Sequence, residues 1–294
     1  MDKLRWQNCL LCWLLLLVLP VPVLRAQDGP PLLAKTALID GVKIHYRVGG
    51  QGPALMLLHG FTLSGSEWEP FLNDLMQNFT VIVPDLPGHG RSEAPDGPFR
   101  FRKTAKIMFG LLDRLDIQQV RCIGHSAGGV TLLYMAHEQP KRVEAMALVG
   151  SAHRMSSQGR QLLQNERFET LDAETKSFYR NQHPGGDEQI SRLFSQLHEI
   201  TENSKEFIFS PKDLSAITTP TLLIWGDRDD YFPIDIAVEL YQTLPDAQLW
   251  VVPGQGHTPI WTSMGGSADA AKRFPSVVTE FFNVNKGTDN SASQ

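Results

Sequence analysis

Apolar residues fall in two rhythms along this chain. Ala54–Leu58, Val120–Ile123, Val143–Val149 and Thr221–Trp225 are short apolar runs with almost no polar alternation. Strands covered on both faces read this way. Thr80–Val83, stopped by Pro84, and Gln248–Val252 extend the series. Between them lie segments with helical spacing: Trp68–Gln77, with Trp68, Phe71, Leu72, Leu75 and Met76 on one side, then Phe101–Leu115, Val130–Glu138 ended by Pro140, Ile234–Leu244, and a last helix over about Ala270–Phe282. Near the front, Ala37–Ile39 and Val42–Tyr46 alternate around Asp40–Gly41, a type I′ turn signal, which predicts a hairpin over Lys35–Val48. Strands alternating with helices specify the α/β class, with a mostly parallel central sheet and helices on both faces.

The rhythm breaks once. From His153 to about Ser215 no strand of this kind occurs; the stretch is polar and helical, with Phe168, Phe178, Tyr179, Phe194, Phe207 and Phe209 scattered through it. It has too few continuous apolar runs for a core of its own, so it is expected to form an inserted helical lid. Its apolar faces would rest on the carboxyl edge of the sheet or line a pocket, with Phe178 and Phe194 as pocket candidates. The expected organisation is a signal peptide at 1–26, a first core part at 27–152, the lid at 153–219, a second core part at 220–284 and a disordered tail at 285–294. Residues 27–34 are Pro-rich and expected to be mobile.

The first 26 residues stand apart. Lys3 and Arg5 precede the apolar stretch Cys9–Leu24, which Pro20 and Pro22 break before Leu24–Arg25–Ala26. That is the charged, apolar and small-residue order of a secretory signal. Cleavage near Ala26 would leave Gln27 as the N-terminus and an exported protein, periplasmic or secreted, with no membrane span; an uncleaved segment would be an anchor instead. Cys9 and Cys12 lie inside this segment, so only Cys122 remains, and the mature fold has no internal disulfide to rely on. Cys122 reads as a small buried hydrophobe. The 294 residues carry a net charge of −5, and no basic stripe interleaved with aromatics points to nucleic acid.

The chemistry centres on Gly124–His125–Ser126–Ala127–Gly128–Gly129, between the apolar run ending at Ile123 and the helical run from Val130. Gly-x-Ser-x-Gly between a strand and a helix is a nucleophile elbow, which exposes a serine oxygen on a sharp turn. A serine hydroxyl needs a base, and the base needs an orienting carboxylate. Downstream, Gly226–Asp227–Arg228–Asp229–Asp230 follows one predicted strand and Gly254–Gln255–Gly256–His257 follows the next. Both loops lie beyond the carboxyl ends of strands, where open α/β sheets place their sites. His59, His89, His125 and His153 are rival bases, read as structural histidines.

Together with His59–Gly60–Phe61 after an apolar run and Asp85–Leu86–Pro87–Gly88–His89–Gly90–Arg91–Ser92, these motifs resemble the α/β-hydrolase fold family, in its lid-bearing branch of esterases and related serine hydrolases. The resemblance covers about residues 35–283. It implies a catalytic triad of Ser126, Asp229 and His257; the family's G-x-x-D spacing selects Asp229 over Asp227 and Asp230. Gly150–Ser151–Ala152, where some members carry the acid, has no carboxylate. The resemblance also places the oxyanion-hole backbone N–H groups at Phe61 and Ala127. The chain departs from the family after His257, where Thr258–Gly266 precedes the last helix; Trp261 in that segment is a further pocket candidate. Neither a metal nor a cofactor is expected.

The activity expected from these residues is hydrolysis of a carboxylic ester with an apolar acyl part, through an acyl-enzyme on Ser126. The alternatives keep the triad and change the bond: a carbon–carbon hydrolase, an amidase or aminopeptidase, or a perhydrolase. A catalytically dead binding protein is the reading from another class.

Overall fold

The computed structural model describes residues 32–202 and 209–285. The predicted signal peptide, Phe207 and all of the tail beyond Asn285 lie outside the described residues. Eight strands form one sheet: β1 (Leu33–Ile39), β2 (Val42–Gly50), β3 (Ala54–Leu58), β4 (Thr80–Pro84), β5 (Val120–His125), β6 (Val143–Val149), β7 (Thr221–Gly226) and β8 (Ala247–Val252), in the order β1-β2-β4-β3-β5-β6-β7-β8. The pairs β1–β2 and β2–β4 are antiparallel and the rest are parallel. The front hairpin turns at Asp40 (φ 48°) and Gly41 (φ 81°), both left-handed as a type I′ turn demands. It runs longer than predicted, because Leu33 and Ala34 of the Pro-rich stretch pair with Val48 and Arg47.

The unbroken apolar runs have a simple cause. In β3, Met56 and Leu58 join the core on one face of the sheet, and Leu55 and Leu57 join the core on the other. In β7, Leu223 and Trp225 alternate with Leu222 and Ile224 in the same way. The first face is covered by α2 (Phe101–Arg114), α3 (Ala127–Glu138) and α8 (Ile234–Thr243), and the second by α1 (Glu69–Leu75) and α9 (Ala268–Val284). No described helix is long and apolar enough to cross a membrane.

Between β6 and β7 the chain forms α4 (Ser157–Asn165), α5 (Ala173–Gln182), α6 (Gly186–Glu202) and α7 (Pro211–Ser215). This insertion does have a small core, Phe168, Ile190 and Phe194 with Leu171 and Tyr179 packed against it. Phe194 is therefore buried inside the insertion rather than lining a pocket, a correction that follows from α6 turning its apolar face onto Phe168. Polar groups also hold the insertion down. The His183 Nε2–H donates to the Thr62 carbonyl (2.7 Å), and the Gly90 N–H donates to His183 Nδ1 (3.0 Å). Gln189 Nε2 donates to the Gly88 and Gly90 carbonyls.

His183 can accept and donate at once only as a neutral imidazole. His59 is held likewise, accepting the Leu86 N–H at Nε2 and donating from Nδ1 to the Gly60 carbonyl. Burial pushes His59, His89 and His183 below the ordinary histidine value, His89 furthest. Below about pH 6.5 the unfolded chain takes up protons at these sites that the folded chain refuses, so stability falls with pH. The limiting slope is about 1.4 kcal/mol per pH unit for each such histidine. Calorimetric Tm values should fall steadily from pH 7 to pH 5; a flat profile would show that these rings are not held neutral.

Candidate active site

The turn after β5 puts Ser126 at φ 49° and ψ −116°, in the left-handed half of the map that a β-carbon disfavours, a strain of roughly 1–3 kcal/mol. Three contacts hold it there. The Ser126 N–H donates to the Val149 carbonyl (2.9 Å), the Val130 N–H donates to the Ser126 carbonyl (3.1 Å), and the Ser151 hydroxyl donates to the same carbonyl (2.9 Å). A β-carbon at position 128 would lie 2.2 Å from the Leu58 carbonyl oxygen, so only glycine lets α3 start against β3. The helix therefore begins at Ala127, three residues before the predicted start. Packing overrides the weak helix propensity of Gly128–Gly129.

Beyond β7, Asp229 is buried, at 3% exposure. Its Oδ1 accepts the N–H groups of Tyr231 and Phe232 (2.9 Å each), and its Oδ2 accepts the Nδ1–H of His257 (2.8 Å). The Trp225 indole donates to the Phe232 carbonyl (2.8 Å), which ties the acid's loop to the strand before it. The neighbouring acids face elsewhere: Asp227 accepts the Gly254 N–H, and Asp230 accepts from Gln158. With Nδ1 committed to Asp229, His257 has Nε2 left for chemistry, and its ring lies between Tyr231, Phe232 and His125.

Ser126, His257, Phe61 and Ala127 all border one cavity of about 380 Å³. Phe61 comes from the turn after β3, where Thr62 also sits at positive φ (63°). The insertion supplies Leu163, Glu166, Phe178, Tyr179, Leu197 and Ile200 to the opposite wall. Thr258, Met264 and Gly265 from the segment after His257 complete the rim. Of the three pocket candidates only Phe178 is in this wall. Trp261 is turned away from it: the ring is 1% exposed, packs on Trp68 and Phe71, and donates from its indole to the Glu67 carbonyl (2.9 Å). An indole at that position closes the core beneath the site instead of meeting a ligand.

Three features of the site had little signal in the sequence. Glu166 sits in the apolar wall with Tyr231, whose hydroxyl donates to its carboxylate. That contact joins residues 65 positions apart, and nothing in the polar stretch around Glu166 singles it out. His125, read as a structural histidine, borders the cavity and packs against His257 at 5.0 Å between ring centroids. Glu67 pairs with His125 from across the fold. Cys122 is buried and its thiol is pushed far up by burial, consistent with a packing role.

Residues 53–175 match the profile of the alpha/beta hydrolase fold family. The chain is 30% identical over 268 residues to a 2-hydroxy-6-oxononadienedioate/2-hydroxy-6-oxononatrienedioate hydrolase of Burkholderia vietnamiensis, covering 82% of this chain and 91% of that protein. It is 28% identical over 250 residues to a 2-hydroxy-6-oxo-6-phenylhexa-2,4-dienoate hydrolase of Burkholderia cepacia, covering 76% and 87%. Among solved structures, a meta-cleavage product hydrolase from Pseudomonas fluorescens superposes with a TM-score of 0.71 at 25% identity, over 86% of this chain and 98% of that one.

Proposed function

Since the chain belongs to the α/β-hydrolase fold family and is a hydrolase, we propose that it works through a triad of Ser126, His257 and Asp229 on a carbon–carbon bond beside a ketone. The observation that carries the triad is the 2.8 Å Asp229–His257 contact on the cavity that Ser126 borders. The bond is argued from the relatives. A 6-oxo-dienoate has no ester or amide linkage, so water can cleave it only between the ketone carbon and its neighbour. This reading displaces the carboxylic ester expected from the sequence.

In the proposed reaction the Ser126 hydroxyl oxygen adds to the ketone carbon while its proton passes to His257 Nε2. The N–H groups of Phe61 and Ala127 receive the oxyanion, each such donor being worth about 3 kcal/mol in the transition state. Collapse breaks the carbon–carbon bond. For this the 2-hydroxy-2,4-diene must first shift to its 2-oxo-3-ene tautomer, the hydroxyl proton passing to the carbon beside the ketone. The leaving carbon's electron pair then spreads onto the 2-oxo oxygen as a dienolate, and that carbon takes the proton from His257. Water then adds to the acyl-enzyme with His257 again as base, and a carboxylic acid departs from a regenerated Ser126. The helices of the insertion act as a lid that keeps bulk water from the acyl-enzyme.

One observation favours the ester as a second reading. Among the described residues bordering the cavity there is one carboxylate, Glu166, and neither a lysine nor an arginine. A dienoate's carboxylate would find no cation among those described residues, whereas a neutral ester with an apolar acyl chain needs none. Purified protein should be assayed with 2-hydroxy-6-oxo-6-phenylhexa-2,4-dienoate and with p-nitrophenyl esters of graded chain length. The proposal expects kcat/KM for the dienoate to exceed that for the best ester by at least about tenfold. Turnover of esters with the dienoate untouched would replace it by the ester reading.

A further inference from the structure

Beneath the cavity lies an acidic group that the triad does not use. Glu67 sits in the turn Gly65–Trp68 between β3 and α1, its side chain 1% exposed. A carboxylate that deeply buried depends on the few groups its oxygens touch. Oε2 accepts the N–H of Gly60 at 2.9 Å. Oε1 lies 2.5 Å from His125 Nδ1, in direct contact with the ring.

Each partner adjoins a working part of the site. Gly60 directly precedes Phe61, the oxyanion donor from the turn after β3. His125 directly precedes Ser126, and its ring is packed between those of His257 (5.0 Å) and Trp261 (4.6 Å). The fit leaves no slack: a β-carbon at position 60 would come within 2.8 Å of His125 Nδ1. The Trp261 indole, bound to the Glu67 backbone carbonyl, closes the far side.

We propose that Glu67 is a positioning residue: its carboxylate clamps the Gly60–Phe61 backbone to His125, and through the His125 ring to the imidazole of His257. One buried group thereby fixes the distance between the oxyanion donor and the general base. The inference rests on the roles given above to Phe61, Ser126 and His257, and not on which bond is cleaved. The clamp acts by geometry. A glutamine at 67 can accept from Gly60 with its carbonyl and donate to His125 with its amide, so it preserves both contacts. Aspartate keeps the charge but is one methylene too short to hold both. Methionine fills the space and holds neither.

The test measures p-nitrophenyl butyrate turnover and the rate of fluorophosphonate labelling in the full chain and in Glu67→Met, Glu67→Gln and Glu67→Asp. Glu67→Met should lose about 10²–10³ in kcat, the scale of one lost oxyanion donor, with KM within about threefold. Glu67→Gln should stay within about fivefold of the parent and Glu67→Asp should fall at least about tenfold. A folded Met variant with kcat near that of the parent overturns the inference, as does a Gln variant that falls as far as Met. If the Met variant does not fold, the Asp variant decides, and its full activity would overturn the clamp. A parent protein that fluorophosphonate never labels would overturn the role of Ser126 and the clamp with it. Equal labelling of the parent and a folded Met variant would overturn the clamp alone.

Discussion

Ser126→Ala is expected to lose about a million-fold in kcat and all labelling by fluorophosphonates, while folding as the parent does. The magnitude follows from what the hydroxyl supplies. Without it no acyl-enzyme forms, and the oxyanion donors and the cavity can assist only direct attack by water. The fold should survive because the elbow is held by backbone contacts from Ser126 to Val149 and Val130 and by the Ser151 hydroxyl on its carbonyl, none of which involves the Ser126 side chain. An alanine β-carbon meets the same strain at φ 49° that serine already bears. Retention of more than a few per cent of activity would mean that another residue is the nucleophile.

Asp229→Asn should cost about ten-thousand-fold in kcat, and Asp227→Asn less than about threefold. Asp229 Oδ1 accepts two backbone N–H groups, so an asparagine at 229 keeps its carbonyl on that side and turns its amide toward His257. The amide donates where the carboxylate accepted. That favours the His257 tautomer with the proton on Nε2, the nitrogen that must take the serine proton. Asp227 receives the Gly254 N–H at an exposed turn, away from His257. Comparing kcat for the two variants, with Tm as a control for folding, checks the assignment; a larger loss at 227 would reverse it.

How much of this was legible beforehand depended on how far apart the interacting residues lie. The elbow spans five residues, and its glycines, strand and helix are neighbours in the chain, so its local pattern carries its geometry. The choice of Asp229 over Asp227 needed the family's spacing, and the structure gives the reason: the loop turns so that Asp229 caps the Tyr231 and Phe232 amides while facing His257. The fates of the aromatics were not legible. Phe178, Phe194 and Trp261 have the same apolar character, yet one borders the cavity, one fills the insertion and one closes the core beneath the site. Which side of a helix or turn faces a ligand depends on partners far away in sequence.

The sequence by itself determined the alternation of buried strands and covering helices, the hairpin turn at Asp40–Gly41, the elbow at Ser126 and the order in which nucleophile, acid and base follow one another. The first three rest on short-range physics: two-sided burial of a strand, positive φ at a turn, close backbone approach at glycine; the order of the triad came from the family resemblance. Only the tertiary structure decided that Glu67 reaches Gly60 and His125, that Glu166 meets Tyr231 in an apolar wall, and that His183 fastens the insertion to Thr62 and Gly90. Those contacts join groups 7 to 121 positions apart in the chain. Their residue types are ordinary, and they become distinctive only where burial removes water and leaves each polar group dependent on one partner.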